Sequence, residues 1–226
     1  MLRYALLYCL LSFNLPAQAE AESYNRVDFQ VEAAREVVND LLIADMRVEI
    51  QDKQPARVAQ QITTALNDAL KKAAAFSTIK IRSGNQHTYP VYGKNKQLDA
   101  WRGHGEIHLE SRDFKAAGEL IMQLQSSLQL GSVQFTIAPD SRVQIENTLI
   151  AEAIKTFQAR ADAISAALNA KSYKIVHFSI NHGGMPPQYP VAMMRATLAE
   201  ASIPTPEFAG GESRMTVQIN GTIEIQ

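Results

Sequence analysis

Alternation and helical spacing divide most of the chain into short, well-marked elements. The strongest stretch is one long amphipathic helix at about 143–169, clearest from Glu146 to Asn169. Ile150, Ala153, Ile154, Phe157, Ala161, Ile164 and Leu168 recur there at steps of three and four and so share one stripe. An apolar stripe of that length needs a partner surface, and strands on both sides in the sequence predict a helix-on-sheet layer. Before it, Val27, Phe29 and Val31 alternate with Asp28, Gln30 and Glu32 as a short half-buried strand. Asn39-Asp40 reads as a turn, and Leu41 to Gln51 as a second strand completing a hairpin, with Ala33 to Val38 open to a helical turn instead. Pro55 opens a helix whose stripe is Val58, Ile62, Ala65, Leu66, Ala69 and Ala73. A hairpin follows: one arm runs from Phe76 through Ile79 and Ile81 to Tyr92, with Pro90 favouring a sheet edge. The other arm is Leu98 to Glu110, where Trp101, Gly103, Gly105, Ile107 and Leu109 share the inner face.

Asp113 is a suitable N-cap for a helix with Phe114, Ala117, Leu120, Ile121, Leu124 and Leu128 along one stripe. Gly131 resets the chain, Val133 to Ile137 form a strand, and Pro139-Asp140-Ser141 reads as a turn before the long helix. Beyond that helix, Lys171 to Ile180 is a strand in which Tyr173, Ile175, His177 and Ser179 alternate with Lys174, Val176, Phe178 and Ile180. The pattern then fails from about 181 to 211, where glycine and proline pairs leave room only for a brief helix at Pro190 to Ala201. Met215 to Ile225 is the last strand, with Gly221 permitting a bend. The order β-β-α-β-β-α-β-α-β-β predicts an α+β fold with mainly antiparallel sheet packed by three helices. It is read as a single domain over 20–226, or as two βαβ-like lobes within it.

Composition adds compartment more than chemistry. Residues 1–19 have the form of a cleaved signal peptide: Arg3 is basic, Tyr4 to Leu15 is largely apolar, and Ala17-Gln18-Ala19 precedes Glu20 as an A-x-A site. An uncleaved anchor is the alternative. The expected location is the periplasm, and no transmembrane segment is expected in the mature chain. The single cysteine, Cys9, lies inside the processed segment, so the mature protein would hold neither a disulfide nor a thiolate nucleophile. A formal charge of -1 over 226 residues, with no Lys/Arg block, gives no reason to expect nucleic acid.

Candidate chemistry is sparse. His104, Glu106 and His108 alternate on one strand face, but His104 and His108 at i,i+4 lie about 13 Å apart, too far to share one zinc. An exposed polar strand face explains them, with a metal bridged between subunits as the functional alternative. His177 and His182 flank a strand end, and a metal cluster of His87, His177 and His182 would require convergence in space. The weak metal candidates are therefore His104, Glu106, His177 and His182. Asn181-His182-Gly183-Gly184 lacks the glycine spacing and Lys-Ser/Thr of a phosphate loop. Neither Ser179 nor Ser213 sits in a G-x-S-x-G elbow. Tyr89, Tyr92 and Trp101, with Lys94, Lys96 and Arg102 nearby, read as cross-strand packing before they read as a stacking platform. Met185, Tyr189, Met193 and Met194 place adaptable apolar side chains in the irregular region and are the candidate interface.

Four strings carry a family resemblance over about Tyr24 to Gln226. They are Thr88-Tyr89-Pro90-Val91-Tyr92, Trp101-Arg102-Gly103-His104-Gly105, Gly131-Ser132-Val133-Gln134-Phe135-Thr136-Ile137, and Gln158-Ala159-Arg160-Ala161-Asp162-Ala163-Ile164. In these the chain resembles the SIMPL (DUF541) family, secreted proteins related to the bacterial oxidative-stress defence protein YggE. Ala33-Ala34 and Asn39-Asp40 stand where members usually have a glycine-bearing strand and a Pro-Asp pair. The resemblance implies an exported protein of the cell envelope, linked to stress tolerance, in some members oligomeric, with no accepted catalytic residues and no cofactor. The functional expectation is a non-enzymatic structural or interaction protein whose partner is a second copy or an envelope protein. The alternative is a small-molecule or metal-binding protein, or a metal-assisted enzyme, with a pocket near 181–211.

Overall fold

A computed structural model describes residues 25–183 and 208–226. The expected processing segment and the candidate interface residues Met185, Tyr189, Met193 and Met194 lie outside the described residues, as does the brief helix at Pro190 to Ala201. Among the described residues the order is β1 (Arg26–Val38), β2 (Leu41–Asp52), α1 (Pro55–Ala73), β3 (Ile79–Tyr92), β4 (Leu98–Ser111), α2 (Phe114–Leu124), β5 (Gln129–Thr136), α3 (Pro139–Ala167), β6 (Tyr173–Gly183) and β7 (Glu212–Ile225). This is the α+β order the patterning predicts. The strands form two antiparallel sheets, one ordered β1-β7-β6 and the other β3-β4-β2-β5.

Each sheet has its own core. On the four-stranded sheet, Val58, Ile62, Leu66 and Ala69 of α1 and Leu120, Ile121 and Leu124 of α2 pack against Leu42, Met46, Ile107 and Leu109. The inner-face glycines of β4 let α1 approach closely: a Cβ on Gly103 would lie 2.3 Å from Val58 Cγ1, and one on Gly105 2.6 Å from Ile62 Cγ2. On the three-stranded sheet, Leu149, Ala153, Phe157 and Ala161 of α3 cover Val31, Val217, Ile219 and Ile223. Phe157 is wholly buried and stacks on Phe29 at 4.5 Å. It occupies the space left by Gly221, where a Cβ would come within 2.5 Å of its ring. Gly221 therefore makes room for packing inside a strand that is continuous from Glu212 to Ile225.

Several sequence expectations are corrected. β1 and β2 are not a hairpin. β1 pairs with β7 over its whole length, through Val38 opposite Glu212, so Ala33 to Val38 is strand and not a helical turn. β2 pairs with β4 and β5 in the other sheet. Asn39-Asp40 carries the chain from one sheet to the other, fixed by Asn39 donating its backbone N–H to Gly211 O and its Nδ2 to Gly210 O. α3 begins at Pro139, not near 143 or 146, with the proline and the acidic Asp140 in the first turn; its N-cap residue, Ala138, has no capping side chain. The helix ends at Ala167 with Leu168 as its C-cap and Asn169 in the left-handed region at φ 55°. Its buried line is Leu149, Ala153, Phe157, Ala161 and Ser165, a stripe turned slightly from the predicted one, and Leu168 is 52% exposed. Gly131 lies inside β5 and does not precede it. β6 continues to Gly183, past the point where the irregular region was expected to begin.

A bulge in β6 breaks the predicted alternation. Ile175 faces Ile223, then His177 faces Thr222, leaving Val176 as the extra residue. The slip puts Phe178 opposite Gly221 on the helix side, and His177 and Ser179 on the other face with Thr222 and Asn220.

Candidate functional site

Three surfaces gather the polar chemistry and the exposed apolar groups. The first is the face of the four-stranded sheet opposite α1 and α2. The alternation of β4 sends His104, Glu106 and His108 outward together, as the sequence implies. His104 Nε2 lies 2.6 Å from Glu106 Oε1, and His108 Nδ1 lies 2.5 Å from Asp45 Oδ1. Asp45 also accepts from Ser132 Oγ at 2.7 Å. Burial would push the Asp45 carboxyl up, but the Ser132 hydroxyl and the His108 ring outweigh it and hold it below the usual carboxylate range. Each imidazole thus has its own carboxylate. Glu106 serves His104, while His108 takes a partner from β2 through the Asp45–His108 register. The His87 ring lies 5.3 Å from His104 and 5.8 Å from Tyr89, extending the row across β3.

His177 sits on β6 of the other sheet, and His182 is known by its backbone pairing with Val217 alone. Among the described residues no three His, Cys, Asp or Glu side chains are placed to hold a metal ion. Asp45 and Ser132, which sequence reasoning missed, are the additional members of this face. Their alternation marks them as outward-facing, but only the strand register brings them to His108.

The second surface is the junction of the two sheets. Asp40 caps α3 from a distance: Oδ1 accepts from Ala138 N–H at 2.6 Å and Oδ2 from Ser141 Oγ at 2.6 Å. Arg112 lies against both Asp40 and Asp140. Burial would raise the Asp40 carboxyl, yet the Ala138 N–H, the Ser141 hydroxyl and the Arg112 guanidinium together keep it below the ordinary range. Asp140 is lowered chiefly by its hydrogen bond from Arg112. An open cleft of about 590 Å³ lies here, lined by Thr78, Lys80, Glu110, Arg112 and Asp140 among others. Glu110 is paired with Arg82 and Arg112 with the two aspartates, so the cleft carries both signs of charge, mostly engaged. A shallower cleft of about 370 Å³ lies beside Asp162 and Tyr173, whose phenol is raised by burial and by its hydrogen bond with Asp162.

The third surface is apolar. α3 lies over β1 and β7 and only grazes β6. Ile175 is 47% exposed, Val176 44% and Phe178 37%, although Phe178 also meets Phe157 edge-on at 5.3 Å. Among the described residues β6 is an edge strand that pairs with β7 alone, so its other row of main-chain N–H and C=O groups has no strand partner among them. The other three edges are blunted. β1 carries Arg26, Asp28, Glu32, Arg35 and Glu36; β3 has Pro90 and a break in register between Ser83 and Gln86; and β5 is only eight residues long. Only Lys174 gives β6 a full charge.

These features define an α+β protein of two helix-backed antiparallel sheets, with one polar histidine-bearing face and, among the described residues, one apolar edge strand. Among the described residues no helix is long and apolar enough to cross a membrane. The chain belongs to the SIMPL family, a protein family of unknown function (DUF541), whose model matches residues 27–223. No curated protein matches the chain.

Proposed function

We propose that this chain is an exported, non-enzymatic interaction protein of the cell envelope that works by associating with copies of itself, in a role tied to stress tolerance. The observation that carries the association is the β6 edge, where Ile175, Val176 and Phe178 each keep more than a third of their surface exposed on a strand that, among the described residues, is paired on one side only. Neighbouring exposed apolar side chains on an unpaired edge favour burial against another protein, whereas single scattered ones are ordinary. Export is supported by Arg3, the apolar run to Leu15 and Ala17-Gln18-Ala19. The envelope and stress setting is supported by the family resemblance.

The test is the solution mass of the Glu20–Gln226 protein by light scattering, with the N-terminus of the periplasmic form sequenced alongside. The expected results are a discrete oligomer at micromolar concentration and a chain beginning at Glu20. A monomer over that range contradicts self-association; retention of Met1 in the cytoplasm contradicts export.

A further inference from the structure

We infer that His87 and His104, opposite each other on β3 and β4, form a two-imidazole site for a divalent transition-metal ion, best filled by Cu2+, with Glu106 as the residue that positions the His104 ring. The site needs no second copy of the chain. A bulge creates the pair. Ser83 faces Ile107 but Gln86 faces Gly105, so β3 carries one extra residue between them. Beyond the slip, His87 lies directly opposite His104, on the sheet face away from α1 and α2. In a regular ladder Gln86 would take that place, and His87 would turn to the helix side opposite Gly103.

The ring spacing suits a shared ion. Two imidazoles on one tetrahedral metal, with metal–nitrogen bonds of about 2.0–2.1 Å, have centroids about 5 Å apart. The centroids of His87 and His104 are 5.3 Å apart. A carboxylate can only accept, so the 2.6 Å contact of Glu106 Oε1 with His104 Nε2 puts the ring proton on Nε2. In the neutral ring this leaves the lone pair on Nδ1, free for a metal. A carboxylate holding the other ring nitrogen is the usual support of a metal-bound histidine. His87 is exposed, so water can complete the coordination around the two rings. Imidazole suits copper, nickel and zinc, whereas magnesium and calcium seek oxygen, and Cu2+ binds most tightly of the first-row divalent ions. His108 is not a member of the site. Its Nδ1 lies 2.5 Å from Asp45 Oδ1, and its Nε2 is backed against β3, where a Cβ on Gly84 would come within 2.5 Å of it.

Calorimetric titration of Cu2+ into the untagged, metal-free Glu20–Gln226 protein tests this, with electron paramagnetic resonance of the loaded sample. Circular dichroism confirms folding of each variant. The expected result is one ion per chain, its spectrum showing two coupled imidazole nitrogens. His87→Gln and His104→Gln should each weaken binding by roughly 100-fold and leave one coupled nitrogen, while Glu106→Gln should weaken it by about 10-fold and keep both, as loss of an orienting partner does. His108→Gln should change neither readout. Absence of binding at millimolar Cu2+ overturns the site, as does wild-type affinity in either His87→Gln or His104→Gln. A bound ion coupled to fewer than two imidazoles in the wild-type protein overturns it as well.

Discussion

Phe157→Ala is expected to lower the free energy of unfolding by about 3–5 kcal/mol, the range for removing a buried phenylalanine and leaving a cavity. Phe157 is, among the described residues, the largest fully buried side chain and the point where three strands of the smaller core meet. Its ring stacks on Phe29 of β1, meets Phe178 of β6 edge-on, and lies over Gly221 of β7. Collapse cannot repair the loss cheaply, because Gly221 has no side chain to move into the gap and Phe29 is held by strand pairing. The measurement is a urea titration, in which the midpoint should fall while the slope stays constant. A change below about 1 kcal/mol would show that the three-stranded sheet does not depend on this packing.

The second large effect is at Asp40. Asp40→Ala removes the acceptor for Ala138 N–H and for Ser141 Oγ and takes one of the two carboxylates from Arg112. The expected loss is about 1–2 kcal/mol, the upper part of the range for a helix cap, because the cap also joins the two sheets. The folded-state pKa of Asp40 is depressed, so its contribution is fully present above the unfolded carboxylate value of about 4. It is lost as the pH falls below that value through the lowered folded one. The stability difference between wild type and Asp40→Ala should therefore be flat from pH 7 to about 5 and shrink below about 4. A difference that grows on acidification would contradict the cap.

Legibility from sequence followed the reach of the signals. The α1 stripe, the β3–β4 hairpin and the Asp113 cap were readable because neighbours along the chain settle them: Asp113 accepts from Ala116 N–H three residues on. The inner-face placement of the β4 glycines was also legible, and the space they leave is taken by α1. The start of α3 was misread, since Pro139 suits a turn as well as a first helical turn and the cap is Asp40, 98 residues away in sequence from the Ala138 N–H it accepts. The assignment of β1 and β2 to different sheets was hidden for a similar reason. Both alternate correctly, but the partner of β1 is the last strand, and alternation does not say which strand pairs with which. On the histidine face, the outward direction of His104, Glu106 and His108 was legible, while the choice of Asp45 for His108 depended on register. The apolar edge of β6 was concealed by one residue: a regular strand would have put Ile175 and Phe178 on opposite faces, and the bulge at Val176 brings them to one.

Association through β6 is tested most directly by hydrogen exchange of the Glu20–Gln226 protein at two concentrations on either side of dissociation. The expected result is that backbone amides within Phe178–Gly183 exchange more slowly in the concentrated sample, while those of Arg26–Val38 on the opposite edge are unchanged. Equal exchange of β6 at both concentrations, in a sample whose mass does change, would place the contact elsewhere and contradict this assignment.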